Sequence, residues 1–153
     1  MASTYKVAIA RALLSRVDKS GAAFDQMIPI TQRDVDATGE VADHVIHPGV
    51  SLSVANLMEL MLVQSNNTAT DKILVPIGGP EAGTAWARSL GIDGMRVDRS
   101  VNDVLNDFFG VPRGWPFAKS YVNPGISEAA FDKRAISSNA AFEQDPRDTR
   151  LPW

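Results

Sequence analysis

Ser3-Thr4-Tyr5-Lys6 stands at the head of the chain, directly after Met1-Ala2, and opens a stretch whose spacing predicts a helix from Ser3 to Val17. Val7, Ala10, Leu13, Leu14 and Val17 recur at helical intervals, with Lys6, Arg11 and Arg16 elsewhere on the surface. Side chains three residues apart on a helix share a face, so the Ser3 hydroxyl and the Lys6 amine can meet. A serine hydroxyl becomes a useful nucleophile only when a neighbouring base takes its proton. A lysine can serve once burial or a helix-end field lowers its proton affinity, and free N–H groups at a helix start stabilise developing negative charge. On its own the pattern reads more simply as an ordinary N-capped helix with a solvated lysine.

Bulk properties narrow the setting. The chain has 153 residues, 44% hydrophobic and 22% charged, which suits one globular domain with a real core. A formal net charge of −3 gives no electrostatic case for nucleic acid. The absence of cysteine excludes disulfides and thiolate metal sites but names no compartment. No stretch reaches the length of a membrane-spanning helix, and no signal peptide is expected. A nucleophile so near the first residue leaves no room upstream for the walls of a site, so a fragment, or a protein completed by another chain, is expected.

Along the chain, Asp18-Lys19-Ser20-Gly21 is expected to stop the first helix. From Ala22 to Val50 the pattern is loose and reads as loops and short turns, punctuated by Pro29, Gly39, Pro48 and Gly49. His44 and His47, with Glu40 and Asp43 nearby, match no known metal-ligand motif and read as structural or solvated. Ser51 to Gln64 is predicted as a second helix, capped by Ser51 or Ser53 and buried on more than one face. Thr68 to Val75 should form a third, stopped by Pro76, and Pro80 should start a fourth that buries Ala82, Ala85, Trp86 and Leu90. Beyond Arg99, prolines and glycines mix with Phe108, Phe109, Trp115, Phe117 and Tyr121, which reads as a long ordered loop with a short helix over Ser127 to Ile136. The expectation is therefore a mainly α chain forming one domain over residues 1–153, with an extended loop at about 100–148.

About 60 residues after the opening pair, Ser65-Asn66-Asn67 falls at a helix end. Ser-x-x-Lys followed by Ser-x-Asn resembles the penicillin-interacting serine enzymes, above all the class A β-lactamases. Leu14-Ser15-Arg16-Val17-Asp18, Ile77-Gly78-Gly79-Pro80, Val97-Asp98-Arg99 and Arg147-Asp148-Thr149 extend the likeness in order. The resemblance implies the helical domain of the β-lactamase/DD-peptidase-like fold, with the α/β sheet portion absent. It implies Ser3 as acylated nucleophile, Lys6 as its proton-relay partner and Ser65 as proton donor to the departing lactam nitrogen. Asn67 would hold the substrate's side-chain amide, and Arg99 would pair with Asp148 to close an Ω-type loop. It also implies a β-lactam or peptidoglycan-type peptide as ligand, a periplasmic or secreted setting, and neither cofactor nor metal.

The departures bear on activity. Asn66 replaces the family's usual aspartate. The family's deacylating glutamate follows the loop arginine, and here Asn102 or Val101 takes its place, depending on alignment; neither accepts a proton near neutral pH. Asp103 is the candidate substitute base, one residue out of register, and Glu128 or Glu143 could fold back from an insert roughly 30 residues long. The family's Lys-Thr-Gly strand has no counterpart, since Lys19-Ser20-Gly21 is explained as a helix stop. Leu151-Pro152-Trp153 comes where the family's chain would enter the sheet, so half of the oxyanion hole is expected to be missing, at a cost on the order of 10²–10³ in rate. Three functions follow: a β-lactamase-like serine hydrolase weak or inactive as an isolated chain, a non-catalytic helical folding unit, or a penicillin-binding or peptidase-like protein that deacylates slowly. Apolar surface left without its sheet should favour a complementing chain or self-association.

Overall fold

A computed structural model describes residues 2–20, 23–38 and 49–109, together with Ala129 and Lys133. Ala2–Thr4 make one 3-10 turn that runs straight into α1 (Tyr5–Ser20), so the opening helix continues past Val17. Ile9 and Leu13, one turn apart, are fully buried, and Ala8, Ala10 and Ala12 are buried beside them. The inward face differs from the expected stripe: Val7 is 59% exposed while Lys6 is 2% exposed. The reason is that α1 is the central helix, packed by later helices on several sides, so a single apolar stripe does not describe it.

The stretch from Ala22 to Val50, expected as loops, contributes ordered elements. β1 (Met27–Pro29) pairs antiparallel with β2 (Ser51–Ser53), Ile28 standing opposite Leu52. Between them lies α2 (Gln32–Thr38). Asp34 reaches back to accept from the Thr31 N–H at 2.7 Å and the Thr31 hydroxyl at 2.7 Å, which satisfies an orphan donor at the helix start. Elements this short show no legible period, and that is why the pattern looked loose. Glu40, Asp43, His44 and His47 lie outside the described residues.

The second predicted helix divides. Ser51 belongs to β2, and α3 (Val54–Val63) starts after Ser53, whose side chain accepts from the Asn56 N–H at 3.2 Å. Val54, Leu57 and Met61 are buried, whereas Leu62 and Val63 are exposed, so α3 buries one face only. α4 (Asn67–Ile77) carries Pro76 inside its last turn instead of stopping before it. Its end is closed at Gly78, φ 91°: the Gly78 and Gly79 amides bond the carbonyls of Val75 and Leu74 at 3.1 and 2.8 Å. Arg16 from α1 donates to the last carbonyl, Ile77, at 2.8 Å, a cation at the negative end of the helix dipole.

α5 (Glu81–Ser89) buries Gly83 and Ala87; Ala85 and Leu90, expected on its inner face, are exposed. Gly83 permits a close approach to Val97, because a Cβ there would lie 3.1 Å from the Val97 Cβ, tighter than an ordinary contact. Thr84 exchanges two hydrogen bonds with the Val97 backbone, at 2.8 and 2.7 Å, and so fastens the approach to the next element. That element is α6 (Val101–Phe109), a helix where a loop was expected. Its first three amides are satisfied from outside the helix, by Asp71 and by Ser100. Ala129 and Lys133, inside the short helix expected over Ser127 to Ile136, are helical and exposed; the rest of that stretch lies outside the described residues.

Candidate active site

Ser65 sits between α3 and α4 with φ 57°, the left-handed region that glycine usually fills at a helix C-terminus. The Gln64 and Asn66 amides on either side both bond the Leu60 carbonyl, at 3.2 and 3.1 Å, and hold the turn closed. A non-glycine residue there costs on the order of 1 kcal/mol, and the residue carrying that strain is the one whose hydroxyl was singled out. Asn66 is 3% exposed and caps α4, its Oδ1 accepting from the Ala69 N–H at 2.8 Å. An aspartate would make the same bond, so the Asn66 departure leaves this turn intact. Asn66→Ala should lower unfolding free energy by about 0.5–2 kcal/mol, measured as a shift in the urea midpoint.

This turn delivers Ser65 to the opening helix. The Ser65 hydroxyl donates to Ser3 Oγ at 2.7 Å. Lys6 Nζ donates to Ser65 Oγ at 3.1 Å, to Asn67 Oδ1 at 2.7 Å and to the Ser65 carbonyl oxygen. Three acceptors match the three protons of an ammonium group. Ser3 and Ser65 are exposed while Lys6 is buried, so a continuous hydrogen-bonded path leads from an accessible hydroxyl to an amine shielded from water. All four residues picked out by motif, Ser3, Lys6, Ser65 and Asn67, meet at one point.

The loop residues are arranged differently. Arg99 donates to Asp107 at 2.7 Å and to Asp98 at 3.1 Å, pinning the far end of α6 to its own approach. Asp148, the expected partner of Arg99, lies outside the described residues, as do Glu128 and Glu143. Asp103 stands in the first turn of α6, half-buried, with its own N–H bonded to Ser100 Oγ at 3.0 Å.

Sequence reasoning passed over Asp71. One turn along α4 from Asn67, its two carboxylate oxygens accept the amides of Val101 at 2.6 Å and Asn102 at 3.1 Å. Burial pushes the Asp71 carboxyl up to about 6, aided by the like charge of Asp103 and opposed by the two amide bonds and the charge of Lys6. Its spacing from Asn67 was the one signal available. Among the described residues no group of three or more acidic or histidine side chains could hold a metal ion, and no helix is long and apolar enough to cross a membrane.

The profile of the beta-lactamase enzyme family matches residues 1–137. The chain belongs to that family. Over 113 residues it is 35% identical to a β-lactamase of Proteus vulgaris, covering 74% of this chain and 41% of that protein. It is 34% identical to Beta-lactamase L2 of Stenotrophomonas maltophilia, covering 74% of this chain and 37% of that one. Among solved structures, an ancestral class A β-lactamase is similar at TM-score 0.58 and 29% identity, covering 90% of this chain and 55% of that one. A β-lactamase from Burkholderia vietnamiensis gives 0.59 and 25%, with 90% and 53% covered. The chain thus spans less than half the length of the curated β-lactamases it matches.

Proposed function

We propose that this chain carries the acylating portion of a β-lactamase-like serine hydrolase. The single observation behind this reading is the Ser3–Ser65–Lys6 hydrogen-bonded path, at 2.7 and 3.1 Å. Ser3 Oγ attacks the carbonyl carbon of a β-lactam, and its proton passes through the Ser65 hydroxyl toward Lys6 in its neutral form. Ser65 then protonates the departing lactam nitrogen and regains its proton from Lys6, which returns to its neutral form, and the opened ring stays attached to Ser3 as an ester. Asn67 is positioned to meet the substrate's side-chain amide once Lys6 shares its oxygen. Family resemblance supports a periplasmic or secreted setting.

Release of the ester is expected to be slow, because the place of a water-activating base falls to Asn102 or Val101, depending on alignment, and neither an amide nor an isopropyl group accepts a proton at neutral pH. Asp103, in the same helical turn, is the substitute base in this reading. Val7, four residues from Ser3 and largely exposed, supports contact with a complementing chain or a second copy on this face; a strictly monomeric species by light scattering would count against that. Turnover of a chromogenic cephalosporin, followed beside intact-protein mass, tests the reaction. A persistent covalent species with little turnover agrees with it. Rapid turnover would refute slow release, and no covalent species with or without a complementing sheet segment would refute acylation.

A further inference from the structure

Asp93-Gly94 is the one aspartyl-glycine pair in the sequence, and it falls in a turn between α5 and α6. The Asp93 side chain is 87% exposed, and its contact with Arg88 at 3.5 Å, open to water on both sides, does little to fix it. No hydrogen bond to another described residue holds the Gly94 N–H, and a Cβ built at Gly94 would meet nothing within 4 Å. The nitrogen after Asp93 is therefore unshielded, and it belongs to the residue type whose backbone turns most freely. The flanks are held. The Ile92 amide bonds the Ala87 carbonyl at 3.0 Å, and the Val97 amide bonds Thr84 Oγ1 at 2.7 Å, so the freedom lies in the few residues between them.

Other aspartates are placed differently. Asp18, Asp34, Asp36, Asp71, Asp103 and Asp107 lie within helices, where the helical backbone turns the next nitrogen away from the side-chain carboxyl. Asp25 precedes Gln26, whose amide bonds the Ala23 carbonyl at 3.1 Å. Asp98 precedes Arg99, whose side chain crowds the nitrogen that would have to move.

We propose that Asp93-Gly94 is a site of spontaneous covalent modification, at which aspartate converts to isoaspartate through a cyclic imide. The Gly94 nitrogen attacks Cγ of the protonated Asp93 carboxyl. An N–C bond forms, and the carboxyl hydroxyl leaves with the amide proton as water. The reacting groups are neighbours in one chain, so ring closure is an intramolecular step. Water then opens the ring. Attack at Cγ restores aspartate; attack at the backbone carbonyl carbon breaks its bond to nitrogen, which takes a proton, and the chain now runs through the side-chain carbonyl. No atom is gained or lost overall, and water is the one co-reactant. The product keeps its charge and carries one extra methylene in the backbone, taken up in the exposed stretch between Ile92 and Val97. This inference goes beyond acylation of Ser3 and does not depend on it.

The test is incubation of the folded protein at mildly acidic pH in water enriched in heavy oxygen, followed by tryptic mapping in ordinary water. Residues 89–96 form the tryptic peptide concerned, and Asp93 is its only acidic residue. Each passage through the imide exchanges one oxygen. This peptide should gain heavy oxygen and yield a second isomer of the same sequence, told apart by its backbone fragment ions. Peptides carrying Asp18, Asp34 or Asp71 should stay unlabelled over the same time. Asp93→Glu should lose the label, because the larger ring closes far more slowly. Gly94→Val should slow labelling by about tenfold or more, since a branched Cβ crowds the attacking nitrogen. An unlabelled 89–96 peptide, or equal labelling in Asp93→Glu or in the helical aspartates, would overturn the proposal.

Discussion

Lys6→Met is expected to slow acylation of Ser3 by on the order of 10²–10⁴-fold, the usual worth of a positioned general base. Methionine matches the length of the lysine stem and suits a side chain that is 2% exposed. It removes every donor, however, leaving Ser65 Oγ, the Ser65 carbonyl and Asn67 Oδ1 without their shared partner. Each lost hydrogen bond costs about 0.5–1.5 kcal/mol net, so a lower melting temperature should accompany the slower reaction. Rate constants for penicillin adduct formation, taken well below the melting transition, separate the two effects. An unchanged rate would remove Lys6 from the chemistry, and Ser3 would then need another proton acceptor.

Leu13→Ala carries the largest stability loss we expect. Leu13 is wholly buried on α1, the helix against which α3, α4 and α5 pack. Truncating such a side chain to alanine removes about 2–5 kcal/mol, part from lost transfer energy and part from the cavity left behind. Total stabilities are commonly about 5–15 kcal/mol, so a substantial fraction of the native population is at stake. In urea the midpoint should fall by roughly 1–3 M with an unchanged slope. A loss under about 1 kcal/mol would mean that α1 is not the centre of the core.

The cluster of Ser3, Lys6, Ser65 and Asn67 was more legible in the sequence than the packing around it. Ser3, Lys6, Ser65 and Asn67 were found from two short motifs, because chemistry demands particular residue types at particular helical offsets. The inward faces of α1 and α5 were not, since Lys6 and Gly83 are buried for reasons that hydropathy does not record, hydrogen bonds to Ser65 and Asn67 in one case and a close approach to Val97 in the other. α6 did leave a signal. Ser100 with Asp103 three residues on, followed by Val101, Val104 and Leu105 at helical spacing, is a cap and an apolar face. The expectation of an extended loop, drawn from the prolines and glycines farther along, hid it. The Asp71 contacts to the start of α6 join residues 30 and 31 positions apart, and they follow from the packing of α4 on α6 and not from any local pattern.

Peptide mapping of the chain after exposure to a penicillin bears most directly on the role given to Ser3. Ring opening by a serine expels no leaving group, so the modified peptide should gain the full mass of the penicillin. The account predicts that gain on the peptide containing Ser3, with and without a complementing sheet segment compared, and its loss in Ser3→Ala. A gain on a different peptide, or an equal gain in Ser3→Ala, would contradict it.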